Sequence, residues 1–186
     1  MTSQPDAGRA LYGAYRLARL DRDGFSFFAT SIEAFWHSFR AALIVAPLFL
    51  LLLAARLYGG QVHVPLGQYL AIEYSAYALS WLVFPVVMEA LSRTMGCRDK
   101  YVPFIIAYNW AMVPQYVVFI SIITLGLVGI IPLEVSETLS LLVLIWAFIY
   151  TGFIVKTALD VSVITAVGIV FLDFLLGLTL DLAITS

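Results

Sequence analysis

Three polar side chains stand inside long apolar runs, where a polar group is expensive: Asp173, Gln115 and Ser80. A carboxylate at the middle of a bilayer costs roughly 2.5 to 3.5 kcal/mol on insertion scales, so Asp173 must be protonated or face polar partners inside a bundle. Counted from the same side of the membrane at a rise of about 1.5 Å per residue, Asp173 falls at about 18 Å, Gln115 at about 20 Å and Ser80 at about 16 Å. Three segments thus bring one polar group each to a shared level, as an interhelical hydrogen-bonded cluster requires. Two chemistries fit. In one, Asp173 is a protonatable or cation-binding group in a transport path, oriented by Gln115 and Ser80. In the other, a neutral Asp173 donates to Gln115 and locks the helices together, contributing about 0.6 to 2 kcal/mol. The inverted repeat typical of transporters is not visible in this chain.

Catalytic and cofactor constellations are missing. There is no Gly-rich phosphate loop, no G-x-S-x-G elbow and no H-E-x-x-H pair. The single cysteine, Cys97, makes neither an internal disulfide nor, alone, a structural metal site. His37 and His63 are expected on opposite sides of the membrane, so neither completes a triad or a metal site at depth. A two-aspartate site needs a second carboxylate level with Asp173, whereas Asp181 lies about 12 Å further along the same helix. The expectation is a protein without enzymatic activity, cofactor or metal.

The elements that hold these residues follow from composition. Of 186 residues 62% are hydrophobic and only 12% charged, against roughly a quarter charged in a soluble domain. With a mean hydropathy of +0.98, neither a soluble globule nor a disordered chain is compatible with these values. A formal charge of −2 is too close to neutral to suggest a nucleic-acid partner, and none is expected. A hydrocarbon core about 30 Å thick requires about 20 apolar residues per helix. That ruler gives an all-α, polytopic transmembrane bundle of five spans, over residues 41–58, 69–91, 102–124, 139–155 and 161–182, with sequence neighbours packed antiparallel. Residues 1–40 form a basic, amphipathic segment before the transmembrane domain of residues 41–186. The first long apolar run starts too late for a cleavable signal peptide, so the first span is expected to stay in the mature chain.

With five spans, one side collects Arg9, Arg16, Arg19, Arg22, Arg40, Arg93, Arg98, Lys100 and Lys156, and the other holds only Arg56. Retention of positive charge on the cytoplasmic side then puts the N-terminus in and the C-terminus out. The short Arg- and Ala-rich N-terminus fits a bacterial inner membrane. Within it, residues 9–20 are expected to form a helix with Leu11, Ala14, Tyr15 and Ala18 on its apolar side, lying on an anionic leaflet or serving as a solvated arm. Residues 28–39 are expected to form an interfacial helix. Thr30 and Glu33 have capping-box spacing, and Phe28, Ile32, Phe35, Trp36 and Phe39 make an aromatic stripe that anchors the chain or docks a partner. Beyond the lipid bilayer, the partners expected are other membrane proteins or further copies of the chain.

Interior prolines at Pro47, Pro85 and Pro114 predict kinks. Among peripheral charges, Glu89 with Arg93, Lys156 with Asp160, and Glu73 with Arg56 are the expected pairs. The five closely spaced spans, the lead-in Phe35-Trp36-His37-Ser38-Phe39-Arg40, Pro47 and the segment Tyr108-Asn109-Trp110 resemble the five-span Yip-type membrane protein family over about residues 30–182. The acidic-hydrophobic-Gly-Pro element of its eukaryotic members is not present, so a Rab-binding role is not carried over. The resemblance implies a non-enzymatic membrane-organising adaptor.

Overall fold

A computed structural model describes residues 6–185. They form α1 (Ala7–Ala18), a 3-10 turn (Arg22–Phe27), α2 (Ile32–Ser38), α3 (Arg40–Tyr58), α4 (Leu66–Thr94), a second 3-10 turn (Arg98–Lys100), α5 (Tyr101–Leu127), α6 (Leu133–Leu159) and α7 (Val163–Thr185). Five helical segments are long and apolar enough to cross a membrane, beginning with Ile32–Tyr58, in which α2 runs on into α3. The end carrying Arg93, Arg98, Lys100 and Lys156 is called the basic end below.

The helices outrun the expected apolar stretches. α4 starts at Leu66 instead of residue 69, and α6 covers Leu133–Leu159 instead of 139–155. An apolar count stops at the first charges, whereas Glu134, Glu137 and Lys156 are sound helix formers whose heads reach outward from continuing helix. The boundary expected at residue 40 falls inside the continuous Ile32–Tyr58 segment.

α5 is the central post. It packs against α6, α3, α1 and α2, and α7 closes the other side against α6 and α4. α3 therefore lies mainly on α5, not on its sequence neighbour α4. From Phe104 to Ala111 every α5 side chain is buried, as expected for a helix apolar on all sides. Side chains of other helices bond to the backbone near two of the interior prolines: Tyr77 Oη donates to Ala42 O at 2.6 Å and Tyr101 Oη to Pro85 O at 3.0 Å.

The N-terminal segment folds onto the bundle, and here the sequence reading needs correction. α1 forms, but its buried residues are Ala10, Gly13, Ala14 and Leu17, while Tyr15 is exposed. The stripe is turned by one residue because close approach selects small side chains. A Cβ on Gly13 would stand 2.9 Å from Gly24 O, and one on Gly24 would stand 2.8 Å from Gly13 O. The reciprocal contact lets the turn Arg22–Phe27 pack on α1 as a hairpin. Leu20, with φ of 60°, reverses the chain at its tip, and Arg16 pairs there with Asp21 and Asp23. The Arg16 hydrogen bond holds the Asp21 carboxyl below the usual carboxylate range.

The expected interfacial stripe is also divided. Ser31, not Thr30, caps α2, its hydroxyl accepting from Ala34 N at 3.1 Å. Burial of Ala34, Phe35 and Ser38 against α5 sets that register. Phe35 meets Tyr101, with ring centroids 6.0 Å apart, and Phe28 and Phe39 are half-buried, while Ile32 and Trp36 face outward. Phe28 ends the 3-10 turn and is not part of α2. Among the charges, Arg56 to Glu73 (3.0 Å) and Arg93 Nε to Glu89 (2.6 Å) form as expected. Asp160 pairs instead with Lys100 at 3.3 Å. Asp160 has left-handed backbone, φ 55°, just beyond α6, and this turns its carboxylate from its own helix toward the start of α5.

Gly13→Ala or Gly24→Ala should loosen the hairpin and cost about 1 to 3 kcal/mol by overpacking. Gly67→Ala meets open space and should not. Limited proteolysis within residues 19–30, read alongside thermal unfolding, checks this.

Candidate functional site

One face of α5 carries Tyr108, Met112, Gln115, Tyr116 and Phe119, spaced i, i+4, i+7, i+8, i+11, so all five point to one side. That side opens on a cavity of about 430 Å³ walled by α4, α5, α6 and α7. Ser80 and Trp81 enter from α4, Thr151 and Phe148 from α6, and Asp173 and Gly177 from α7. A Cβ on Gly177 would meet nothing within 4 Å. The volume is in the range of small-molecule sites, and a mostly apolar wall with few convergent polar groups is their usual composition.

All three residues singled out by depth, Asp173, Gln115 and Ser80, line this cavity. They do not bond to one another. Asp173 accepts from the Tyr108 hydroxyl, at 2.9 Å to Oδ1 and 3.0 Å to Oδ2. Gln115 Nε2 donates to Ala111 O of its own helix at 3.2 Å, and Ser80 Oγ to Tyr77 O at 2.8 Å. Gln115 thus serves the backbone one turn below itself, next to the break at Pro114. Tyr108 entered the sequence analysis only through the family resemblance. Its spacing to Asp173, 65 residues, leaves no local signal, and a count of depth over Gln and Ser passes over tyrosine hydroxyls.

The electrostatics are one-sided. The residues around the cavity include a single carboxylate, Asp173, and no Lys or Arg. One phenolic proton is shared between two carboxylate oxygens that together offer about four acceptor positions. On two of the residues around the cavity a buried polar atom lacks a hydrogen-bond partner among the described residues: Trp81 Nε1 and Asn109 Oδ1. Asn109 is wholly buried, and its amide nitrogen donates to Ser38 Oγ at 2.8 Å. That bond ties Asn109 to α2. No group of three His, Cys, Asp or Glu side chains suited to a metal ion occurs among the described residues.

The second candidate, the aromatic face of Phe28, Ile32, Phe35, Trp36 and Phe39, lies on the other side of α5 and contributes nothing to the cavity. Its outward members are Ile32 and Trp36, 65% and 67% exposed. Beside it the hairpin docks on α6: Tyr150 Oη donates to Ala14 O at 2.7 Å and Trp146 Nε1 to Ala18 O at 3.4 Å. Compared with protein-family models, curated proteins and solved structures, the chain matches none.

Tyr108→Phe should leave Asp173 without its donor and cost about 1 to 3 kcal/mol. In a double-mutant cycle with Asp173→Leu, thermal unfolding in detergent should return a coupling of about 0.5 to 3 kcal/mol. Additive losses would mean that the bond contributes nothing.

Proposed function

We propose that this chain is a non-enzymatic, five-span integral membrane protein of Yip-type architecture that acts as an adaptor or as a subunit of a membrane complex. Its home in this reading is a bacterial inner membrane, with the N-terminus and the basic end cytoplasmic and the C-terminus periplasmic. Arg93, Arg98, Lys100 and Lys156 at the basic end, against Arg56 alone at the other, support the orientation. The apolar intervals support the insertion. α3 has fifteen residues between Arg40 and Arg56, and α4 has fifteen between Glu73 and Glu89, about 22 Å each. The Arg56–Glu73 pair joins one end of each interval, and Arg and Glu heads can snorkel across the remaining depth.

The observation that carries the adaptor reading is the position of the charged hairpin tip. Trp146, which bonds to Ala18 at that tip, is the middle residue of α6. Exposed Arg19, Arg22 and Asp23 stand close by in the chain. Charges at such a level cannot face acyl chains without a large penalty. They require polar cover, and a partner chain that brings its own charges to this face supplies it. Exposed Trp36, Tyr12 and Tyr15 are side chains of the kind enriched in interface cores.

Purification in mild detergent followed by native mass spectrometry tests this reading. The expected result is a second copy or a reproducible companion that dissociates in the Arg19→Glu/Arg22→Glu variant. A monomer with no companion sinks the proposal.

A second reading, a small transporter or channel with its polar site at Asp173, is favoured by the cavity. Cation flux into proteoliposomes should fall at least tenfold in Asp173→Asn, a loss of about 1.4 kcal/mol or more in barrier terms. Unchanged flux removes it.

A further inference from the structure

We infer that the cavity between α4, α5, α6 and α7 binds an organic cation with an apolar body, its ammonium group on Asp173 and its body against the aromatic wall. The inference names the ligand class of the second reading and rests on that reading's cavity, not on its flux.

Charge comes first. Asp173 is the single ionisable group of formal charge around the cavity, with no Lys or Arg opposite. A lone carboxylate in an apolar surround is stable only when matched, and Tyr108 matches it with one proton spread over both oxygens. Acceptor positions remain free for the donors of an ammonium group. An anion would meet Asp173 with like charge.

The walls choose among cations. A bare divalent ion takes six or more oxygen ligands, and this lining consists mainly of hydrocarbon and aromatic rings. Trp81, Tyr116, Phe119 and Phe148 all line it. Aromatic faces attract a positive charge most strongly when water is excluded, and Trp does so best. The same rings give an apolar ligand body the contact area that an inorganic ion would leave unused. A lipid acyl chain would fit the walls but leave the acceptor positions of Asp173 that Tyr108 does not fill without a donor. A cationic head supplies those donors and an apolar body the contact with the walls. At about 430 Å³ the space accommodates an aromatic ring with a short chain.

The experiment uses the full chain in nanodiscs and two probes that share a body, phenylbutylamine and phenylbutanol, with calorimetry as the readout. The amine should bind at least about tenfold tighter than the alcohol. That preference should vanish in Asp173→Asn. Gly177→Leu, which adds a side chain where a Cβ would meet nothing within 4 Å, should abolish binding of both probes. Should Asp173→Asn fail to fold, Asp173→Glu serves in its place and should keep the amine preference. Equal affinities for the two probes, a preference that survives Asp173→Asn, or amine binding unaffected by Gly177→Leu would each overturn the inference. So would finding only acyl chains in the cavity, with neither probe displacing them. Flux of an inorganic cation that needs Asp173 but shows no amine preference would end this inference and spare the transport reading. Amine binding without flux of any cation would do the reverse.

Discussion

Asn109 has no exposed surface and gives its amide to the Ser38 hydroxyl at 2.8 Å, while that hydroxyl gives its own proton to Phe35 O at 2.6 Å. This chain of donors runs from the first third of α5 to the last turn of α2. It shows the constraint under which the whole molecule is assembled: a polar atom taken out of water must be met by another. Tyr150 meets Ala14, Tyr77 meets Ala42 and Tyr101 meets Pro85. In each case a long aromatic side chain carries one hydroxyl across to the backbone of a different helix. Apolar contact alone would let such helices rotate and slide. Bonds of this kind fix where along each helix its neighbour stands.

Small residues then decide how near the helices come. Gly13 against Gly24 and Gly126 against Ser136 are the two places where an added Cβ would lie within 3.0 Å of its neighbour. The first closes the N-terminal hairpin, and the second seals α5 to α6 at the far end, where Ser136 Oγ also bonds to Ile122 O at 3.0 Å. Between these contacts the bundle is unevenly covered. On the basic half α5 is wrapped by α1, α2 and α6, and on the other half Val117 and Val118 are exposed. A helix wrapped in protein and one wrapped in lipid have the same apolar sequence, so residues 104–111 read simply as part of a span.

That degeneracy explains what sequence reasoning could reach. The five apolar helices were legible because length and hydropathy are properties of single segments. Depth along a helix is also local, so Asp173, Gln115 and Ser80 were assigned to one level from counting alone, and they do line one cavity. Who bonds to whom was not legible. The Tyr108–Asp173 bond spans 65 residues, and Lys100 reaches Asp160 over 60. Both depend on how helices rotate about their axes, which a nearly uniform apolar surface does not encode. α1 was read one residue out of phase for a related reason. Its buried side is chosen by Gly13 and Leu17 meeting the turn at Gly24, a partner that helical periodicity cannot see.

The two candidate faces meet on α5. Tyr108, Met112, Gln115, Tyr116 and Phe119 supply the cavity wall, and the opposite side of the same helix receives α1, α2 and α3. Asn109 belongs to both, since it lines the cavity and also bonds to Ser38. An aromatic wall is a demanding thing to hold open, because each ring would otherwise fold in to fill the space and recover its lost contacts. Here Tyr108 is pinned by Asp173, and the ring of Phe84 lies on it at 4.4 Å between centroids. Trp81 and Tyr116 face each other at 5.8 Å. The rings thus support one another around the cavity while α5 is braced from behind by the N-terminal segment. The hairpin that brings charge to the outer face is therefore also part of what keeps the inner face from collapsing, because removing it would leave the most deeply buried stretch of α5 without its backing.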